Sequence, residues 1–162
     1  MTNEVSESVE ARLTAIEDEI AIIRLIASYG PLVDTGFTEP AAKLFREDGV
    51  YDIDLGRIDG AQAFSEMLSG DLHQKCVSNG IAHAMGLPWV RLAGERATAI
   101  NVTQIYLREG DGFKAWRIAQ NVWKLEKSPS GWAVVHRTNR LIGGGEEAVE
   151  LLRSSLNEDN EL

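Results

Sequence analysis

The sequence has a single cysteine, Cys76, so no disulfide can form within the chain. One free thiol is typical of proteins in a reducing compartment. Cys76 lies between Lys75 and Val77, with no histidine or asparagine beside it in the sequence. We therefore interpret Cys76 as a small, half-buried side chain rather than a nucleophile.

Long hydrophobic runs are also missing. No apolar stretch reaches the roughly 18 residues that a membrane-spanning helix requires. Residues 1–10 are polar and acidic, and they lack the basic-then-apolar order of a secretory signal. The sequence therefore predicts a cytoplasmic protein with no membrane partner.

Basic residues are scarce, because 16 Lys and Arg stand against 25 Asp and Glu and give a formal net charge of −9. No segment carries a dense basic stripe, so the phosphate backbone of a nucleic acid would be repelled. Nucleic-acid binding is therefore excluded as a function class. The charge leaves small-molecule binding and protein binding open.

Motifs for metals and nucleotides are absent from the sequence. The three histidines, His73, His83 and His136, do not have the spacing of metal ligands. The glycine run at 143–145 lacks the lysine and the serine or threonine of a phosphate-binding loop. We therefore expect no metal and no nucleotide cofactor.

The N-terminal part of the chain has a helical pattern. Apolar residues recur at helical spacing over residues 13–27. This pattern predicts an amphipathic helix that is broken near Thr14 into a short and a longer piece. A kink is expected at Gly30-Pro31, because proline removes a backbone donor, and residues 34–36 close the element.

Two further helices and a short strand are predicted before residue 80. One helix begins with Thr38 as its cap and ends near Gly49, and a short strand follows over residues 50–55. A third helix runs from about residue 61 to Gly70. His73 follows in a loop, where we expect it to face solvent or to belong to a lid.

From residue 81 the period of the pattern changes from helical to two. Short turns rich in Gly, Ser and Pro separate the alternating segments, so neighbouring strands are predicted to be antiparallel. The strands are predicted over residues 81–93, 96–109, 113–127 and 132–141.

The order of these elements predicts an α+β fold in one domain that spans residues 1–162. After the sheet, a closing helix is expected over residues 146–155, followed by a frayed acidic tail over 157–162. Helices must cover one face of the curved antiparallel sheet. An apolar cavity between helices and sheet is the natural place for a ligand.

The sequence resembles the SnoaL-like family of the nuclear transport factor 2-like superfamily over about residues 10–142. Relatives in this superfamily include scytalone dehydratase, hexachlorocyclohexane dehydrochlorinase and ketosteroid isomerase. The resemblance implies a cone-shaped, cystatin-like fold with a central pocket. It is carried by residues 16–29, Val33-Asp34, residues 44–51, Asp59-Gly60, residues 81–83, residues 94–99 and Gly131-Trp132.

The resemblance implies a catalytic dyad. Asp34 and His83 match the positions where the dehydratase and dehydrochlorinase relatives keep an aspartate and a histidine in the pocket. There the histidine abstracts a proton from carbon and the aspartate orients it, which suits a side chain that titrates near neutral pH. The alternatives are that Asp34 closes a helix through a local hydrogen bond, and that His83 has no catalytic task.

Arg137 matches the position of a pocket arginine in the dehydrochlorinase relative. There its planar guanidinium can hold an anionic leaving group or a carboxylate. Alternation places Arg137 on the face opposite Val134 and His136. A shift of one residue along the strand would place His136 in the pocket instead, and a surface position for Arg137 is the other alternative.

Six aromatic and amide side chains are candidates for lining the cavity, where they would stack on a ring or hydrogen-bond a carbonyl. Ordinary packing within the sheet is the alternative for the aromatic residues. Residues 31–33 have no counterpart of the relatives' lysine or tyrosine near the aspartate, so their specific reactions do not transfer. The six candidates are Tyr29, Tyr51, Trp89, Asn101, Trp116 and Asn121.

Two functions follow from these observations. The first is a cofactor-independent lyase or isomerase, similar to a dehydratase, that acts on a small apolar, aromatic, polyketide-like or steroid-like molecule. In this hypothesis His83 is the base, Asp34 orients it, and Arg137 stabilises negative charge. The second is a non-catalytic small-molecule-binding or oligomerisation domain. Alternating Ile, Val and Trp on the outer sheet face predict a homo-oligomer, either a dimer or a trimer.

Overall fold

The computed structural model describes residues 8–143 and 145–157. The first helix, α1, spans Val9–Asp34, and the Ser8 side chain caps it by accepting a hydrogen bond from the backbone N–H of Ala11. The helix is continuous through Thr14, so the predicted break there is wrong. Pro31 lies inside α1 and does not end it.

Burial explains why α1 continues past the proline. Ile22, Ile26, Tyr29 and Val33 form one buried stripe at helical spacing, with members on both sides of Pro31. Packing of this stripe against the sheet compensates for the hydrogen bond that proline removes.

The next helices differ from the prediction. Helix α2 is limited to Thr38–Ala42, and strand β1 follows closely and spans Phe45–Ile53. The predicted extension of this helix to Gly49 is wrong, because residues 45–53 pair with the last long strand of the sheet. Helix α3 spans Ala61–Ser69, as predicted, and helix α4, Asp71–Asn79, follows where a loop was expected.

A seven-stranded sheet forms the layer on which the helices pack. After β1, the strands are β2 (Gly56–Asp59), β3 (Ile81–Met85), β4 (Trp89–Ala93), β5 (Arg96–Glu109), β6 (Gly112–Ser128) and β7 (Gly131–Leu141). Their order is β2-β1-β7-β6-β5-β3, and β4 also pairs with β5. The predicted antiparallel pairing holds for β5, β6 and β7, whereas β1 and β7 are parallel.

The predicted strand over residues 81–93 is two strands. Between them the backbone N–H of Gly86 donates to the carbonyl of Val102 at 2.8 Å, and Pro88 cannot donate to a ladder. Strand β3 pairs with residues 103–107 of β5, and β4 pairs with residues 96–100. Both short strands, β3 and β4, therefore pair with different parts of the same long strand, β5.

The core lies between the N-terminal helices and the inner face of the sheet. Helix α5, Glu147–Asn157, packs against β6 and β7, and Arg91 donates to its Ser155 carbonyl. Thus the predicted α+β architecture, with helices on a curved sheet, is confirmed. The tail beyond Asn157 lies outside the described residues. The buried apolar core includes Ile22, Ile26, Tyr29, Val33, Phe45, Tyr51, Phe64, Leu68, Trp123, Leu125 and Val134.

None of the helices in the described residues combines the length and the apolar character needed to cross a membrane.

Candidate functional site

The structure brings Asp34 and His83 into direct contact. Asp34 is the last residue of α1, and His83 is the middle residue of β3. The Nδ1 atom of His83 lies 2.5 Å from Oδ1 of Asp34, and the backbone N–H of His83 donates to Oδ2 at 2.7 Å. Both carboxylate oxygens are therefore occupied by one residue on the neighbouring strand, rather than by a local turn.

This pairing determines which imidazole nitrogen carries the proton. An ionised carboxylate only accepts hydrogen bonds, so the Nδ1 atom of His83 must be the donor. The Nε2 atom makes no hydrogen bond to any residue that the structure describes. The His83 side chain is 10% exposed to solvent. The neutral ring therefore presents a free lone pair at Nε2, as a general base requires.

Gly30 allows α1 to approach β3 closely. A Cβ atom at this position would lie 2.5 Å from the carbonyl oxygen of His83 and 3.4 Å from its Cβ. No side chain larger than hydrogen fits there without moving the helix or the strand. Gly30 therefore sets the distance at which Asp34 meets His83.

Arg137 faces the interior, but not in the way that simple alternation predicts. Leu125 is opposite Val134 and Lys124 is opposite His136, so Val135 is an extra, unopposed residue in β7. Because of this bulge, Val134 and Arg137 both point inward, and both are about 1% exposed or less. The expectation that they face opposite sides is wrong, whereas His136 does not share the inner position of Arg137.

Aromatic rings surround the guanidinium of Arg137. Its central carbon lies 4.2 Å from the ring centroids of Tyr29 and Trp123 and 4.5 Å from that of Tyr51. Nε and Nη2 donate to Oδ1 of Asn121 at 3.0 and 2.8 Å. Nη1 is buried and has no hydrogen-bond partner among the described residues. One donor of a buried cation thus remains available.

Tyr29 connects the dyad with Arg137. Its ring meets the His83 ring edge-on, with 6.0 Å between centroids. Burial raises the pKa of the Tyr29 hydroxyl above its ordinary value, and the positive charge of Arg137 opposes this shift only in part. Tyr29 therefore stays protonated in the physiological range and can act as a neutral hydrogen-bond donor.

The predicted pocket residues divide into two groups. Tyr29, Tyr51 and Asn121 are buried around Arg137, and Asn101 is buried opposite Asn121 on β5. Asn101 accepts from the indole N–H of Trp123 at 2.9 Å and donates to the Gly86 carbonyl at 3.0 Å. Trp89 and Trp116 are 45% and 55% exposed and lie apart from this group.

Sequence reasoning missed three contributors to this group. Trp123 lies two residues after Asn121 on β6, so period-two alternation already placed it on the same face. Asn139 is in phase with Arg137 on β7 and donates to Asn121 at 2.7 Å. The role of Gly30 had no local signal, because it depends on contact with a strand 53 residues away in the chain.

The other two histidines lie outside the dyad. His73 is on α4, not in a loop, and its Nε2 lies 3.0 Å from the carbonyl oxygen of Val33. Burial lowers the pKa of His136, and the nearby charge of Asp52 partly counteracts this effect. Within residues 8–143 and 145–157, no group of three or more His, Cys, Asp or Glu side chains has a geometry that would hold a metal ion.

Residues 14–138 match the SnoaL-like domain. An NTF2-like protein with a cystatin-like fold from Novosphingobium aromaticivorans is 32% identical, with a TM-score of 0.87 over 93% of this chain and 99% of that one. A protein of unknown function from Mycobacterium tuberculosis is 22% identical, with a TM-score of 0.73 over 90% and 82% of the two chains.

A third similar structure, from Catenulispora acidiphila, was solved in complex with S-DNPA. It is 17% identical to this chain, with a TM-score of 0.67, and the alignment covers 79% of this chain and 94% of that one. No curated protein sequence matches the chain. The two more distant structures show the shared fold, and the first confirms the predicted cystatin-like architecture.

Proposed function

The chain belongs to the SnoaL-like family, and on that premise we propose that it is a cofactor-independent lyase or isomerase in which His83 removes a proton from carbon. The observation that carries this proposal is the pair of hydrogen bonds from His83 to Asp34, which leaves Nε2 of the imidazole free. The pair lies at the edge of a buried group of aromatic residues that includes Tyr29.

The proposed step is a proton transfer to Nε2 of His83. As the imidazole becomes an imidazolium, the carboxylate of Asp34 at 2.5 Å stabilises the new positive charge and keeps the ring in place. The electrons left on the substrate delocalise onto an adjacent oxygen. The unpaired Nη1 of Arg137 and the hydroxyl of Tyr29 are the donors available to stabilise that oxygen.

The lining favours a small, largely apolar or aromatic substrate. The rings of Tyr29, Tyr51 and Trp123 pack on the guanidinium of Arg137 and make this interior largely aromatic, which suits an apolar ligand. The family includes polyketide cyclases and subunits of ring hydroxylases, and its members bind small molecules. Polyketide-like and steroid-like carbonyl compounds are therefore the first substrates to test.

Deuterium exchange tests this proposal without knowledge of the net reaction. A panel of cyclic and aromatic ketones is incubated with the protein in D₂O, and loss of the C–H signal next to the carbonyl is followed by ¹H NMR. We expect His83→Ala to slow exchange by about 10²–10⁴-fold, the usual contribution of a positioned base. The matched control is His136→Ala, because His136 does not belong to the inner group.

Two results would contradict the proposal. One is exchange by His83→Ala at the wild-type rate. The other is wild-type exchange no faster than buffer for every ketone in the panel. Circular dichroism of both variants shows whether the fold is retained, so that a loss of rate is not a loss of structure.

The alternative is a binding domain without chemistry, and one observation favours it. Asp34 accepts from the backbone N–H of His83 as well as from its ring, so the contact also ties α1 to β3 as a structural clasp. In that case the ketones bind, but wild type and His83→Ala show no exchange, and the variant differs only in stability or affinity.

We also propose that the protein forms a homo-oligomer, a dimer or a trimer, through the outer face of its sheet. Three large apolar side chains on β4 and β6 are exposed to solvent: Trp89 by 45%, Trp116 by 55% and Ile118 by 39%. Burial of such side chains in an interface is favourable. Light scattering after size-exclusion chromatography tests this proposal, and the mass of a monomer would contradict it.

A further inference from the structure

Arg137 is a buried cation whose partner is neutral. Its side chain is about 1% exposed, and both of its hydrogen bonds go to the amide oxygen of Asn121. No carboxylate in the described residues forms an ion pair with it. Charged groups in protein interiors are usually paired with an opposite charge. Because Arg137 has no such partner, its positive charge is not compensated. The aromatic faces around it reduce this cost without removing the charge.

Asn121 has no polar atom left for a ligand. Its Oδ1 accepts from Arg137 twice and from Nδ2 of Asn139 at 2.7 Å. Its Nδ2 donates to Oγ1 of Thr103 at 2.9 Å, and the side chain is fully buried. Contrary to the expectation from the sequence, Asn121 therefore does not hydrogen-bond a substrate directly and must act through its protein partners.

The neighbours of Asn121 fix the direction of its amide. The hydroxyl of Thr103 donates to the sulfur of Met85 at 3.5 Å, so its oxygen is free to accept from Nδ2 of Asn121. On the other side, Nδ2 of Asn139 supplies a donor that only an oxygen can accept. Together these contacts hold the amide oxygen toward Arg137 and the amide nitrogen away from it.

We propose that Asn121 is a positioning residue that holds Arg137 with a neutral acceptor, so that its charge and its free Nη1–H serve an anionic oxygen of the ligand. That oxygen belongs to a carboxylate, or to an enolate or phenolate that forms during the reaction. An aspartate at this position would accept the same bonds from Arg137 but would cancel the charge. The inference rests on the proposed function for the location of the ligand beside His83.

Two variants that each turn an amide into a carboxylate test this role. Asn121→Asp places the carboxylate on Arg137. Gln120→Glu, the matched control, makes the same change at the preceding residue of β6, which lies beside α5 on the opposite face of the sheet. Affinities are measured by isothermal titration calorimetry for pairs of probes that differ only in charge: acetate and acetamide, benzoate and benzamide, and 2-naphthoate and 2-naphthamide.

We expect the wild-type protein to bind at least one carboxylate about 10- to 100-fold more tightly than its amide, as a hydrogen bond to a charged group implies. Asn121→Asp should lose this preference and Gln120→Glu should keep it. The inference is overturned if no carboxylate is preferred by the wild-type protein, or if Asn121→Asp retains the preference.

A second variant covers the possibility that Asn121→Asp does not fold. Thr103→Val is nearly isosteric and introduces no charge, but it removes the nearest acceptor of the Asn121 amide nitrogen, at 2.9 Å, and leaves two backbone carbonyls at 3.4 Å. The preference for carboxylate should fall by several-fold, because the amide is held less firmly toward Arg137. An unchanged preference in folded Thr103→Val contradicts the positioning role.

The result is separable from the proposed function. His83→Ala leaves Arg137 and Asn121 intact, so its carboxylate preference should equal that of the wild-type protein even though its exchange rate falls. A protein that prefers carboxylates but exchanges no ketone proton would refute the proposed chemistry and support the anion site. The reverse combination would refute the anion site alone.

Discussion

Replacement of Gly30 by alanine tests how finely the dyad is positioned. The new Cβ would lie 2.5 Å from the carbonyl oxygen of His83, closer than real Cβ atoms approach any atom, so α1 and β3 must separate by at least about 0.5 Å. This separation changes the distance between Asp34 and His83, because the two contacts lie on the same pair of elements. The variant therefore perturbs the dyad without changing either member.

Two opposing effects set the change in stability. Alanine is favoured over glycine inside a helix by about 1 kcal/mol. Overpacking of a tight contact costs about 1–3 kcal/mol. The free energy of unfolding of Gly30→Ala should therefore fall by no more than about 2 kcal/mol. The exchange rate should fall by about 10-fold, since a misplacement of about 1 Å costs roughly 10²-fold in catalysis and the required separation is about half of that.

The assay compares urea unfolding with the rate of ketone deuterium exchange in the same variant. Gly112→Ala is the control, because its Cβ would meet only one atom, at 4.0 Å. Exchange by Gly30→Ala at the wild-type rate, with the fold intact, would refute the argument that Gly30 sets the geometry of the dyad.

Two further predictions concern stability and assembly. The hydrogen bond from Arg140 lowers the pKa of Asp52 below its ordinary value, so this pair stabilises the fold above pH 3.8 and loses its effect as pH falls through the lowered pKa. Asp52→Asn should therefore lower the free energy of unfolding by about 1 kcal/mol at pH 7, and urea titrations should show the difference disappearing in acid. Trp116→Glu should yield a folded monomer in light scattering; an unchanged oligomer would place the interface elsewhere.

Turn chemistry and periodicity made much of the fold predictable from the sequence. The glycines at 94, 110 and 131 have positive φ angles in the turns between strands, which is why those turns were visible as glycine-containing breaks in an alternating pattern. The three long strands β5, β6 and β7 begin and end within one residue of their predicted bounds. The resemblance to the family also singled out Asp34 and His83, which are in direct contact in the structure.

The errors have physical causes that a single sequence does not reveal. Helix α4 has no buried residue, so it has no apolar stripe for periodicity to detect. Because of the bulge at Val135, the side chains before it on β7 point to the opposite face from the one that strict alternation predicts. A period-two pattern in the sequence does not show where an extra residue is inserted. The close approach at Gly30 depends on a distant strand, and Pro31 beside it suggested an interruption instead of a contact.

For His83 to act as the general base, Asp34 must hold a neutral ring with its proton on Nδ1 and its lone pair on Nε2. Two-dimensional NMR of the ¹⁵N-labelled histidine ring at neutral pH measures this directly, with His83→Ala used to assign the signals. We predict a protonated Nδ1 and an unprotonated Nε2 for His83, with the Nδ1 proton in a strong hydrogen bond. A neutral ring with its proton on Nε2, or a doubly protonated ring at that pH, would contradict His83 as the general base.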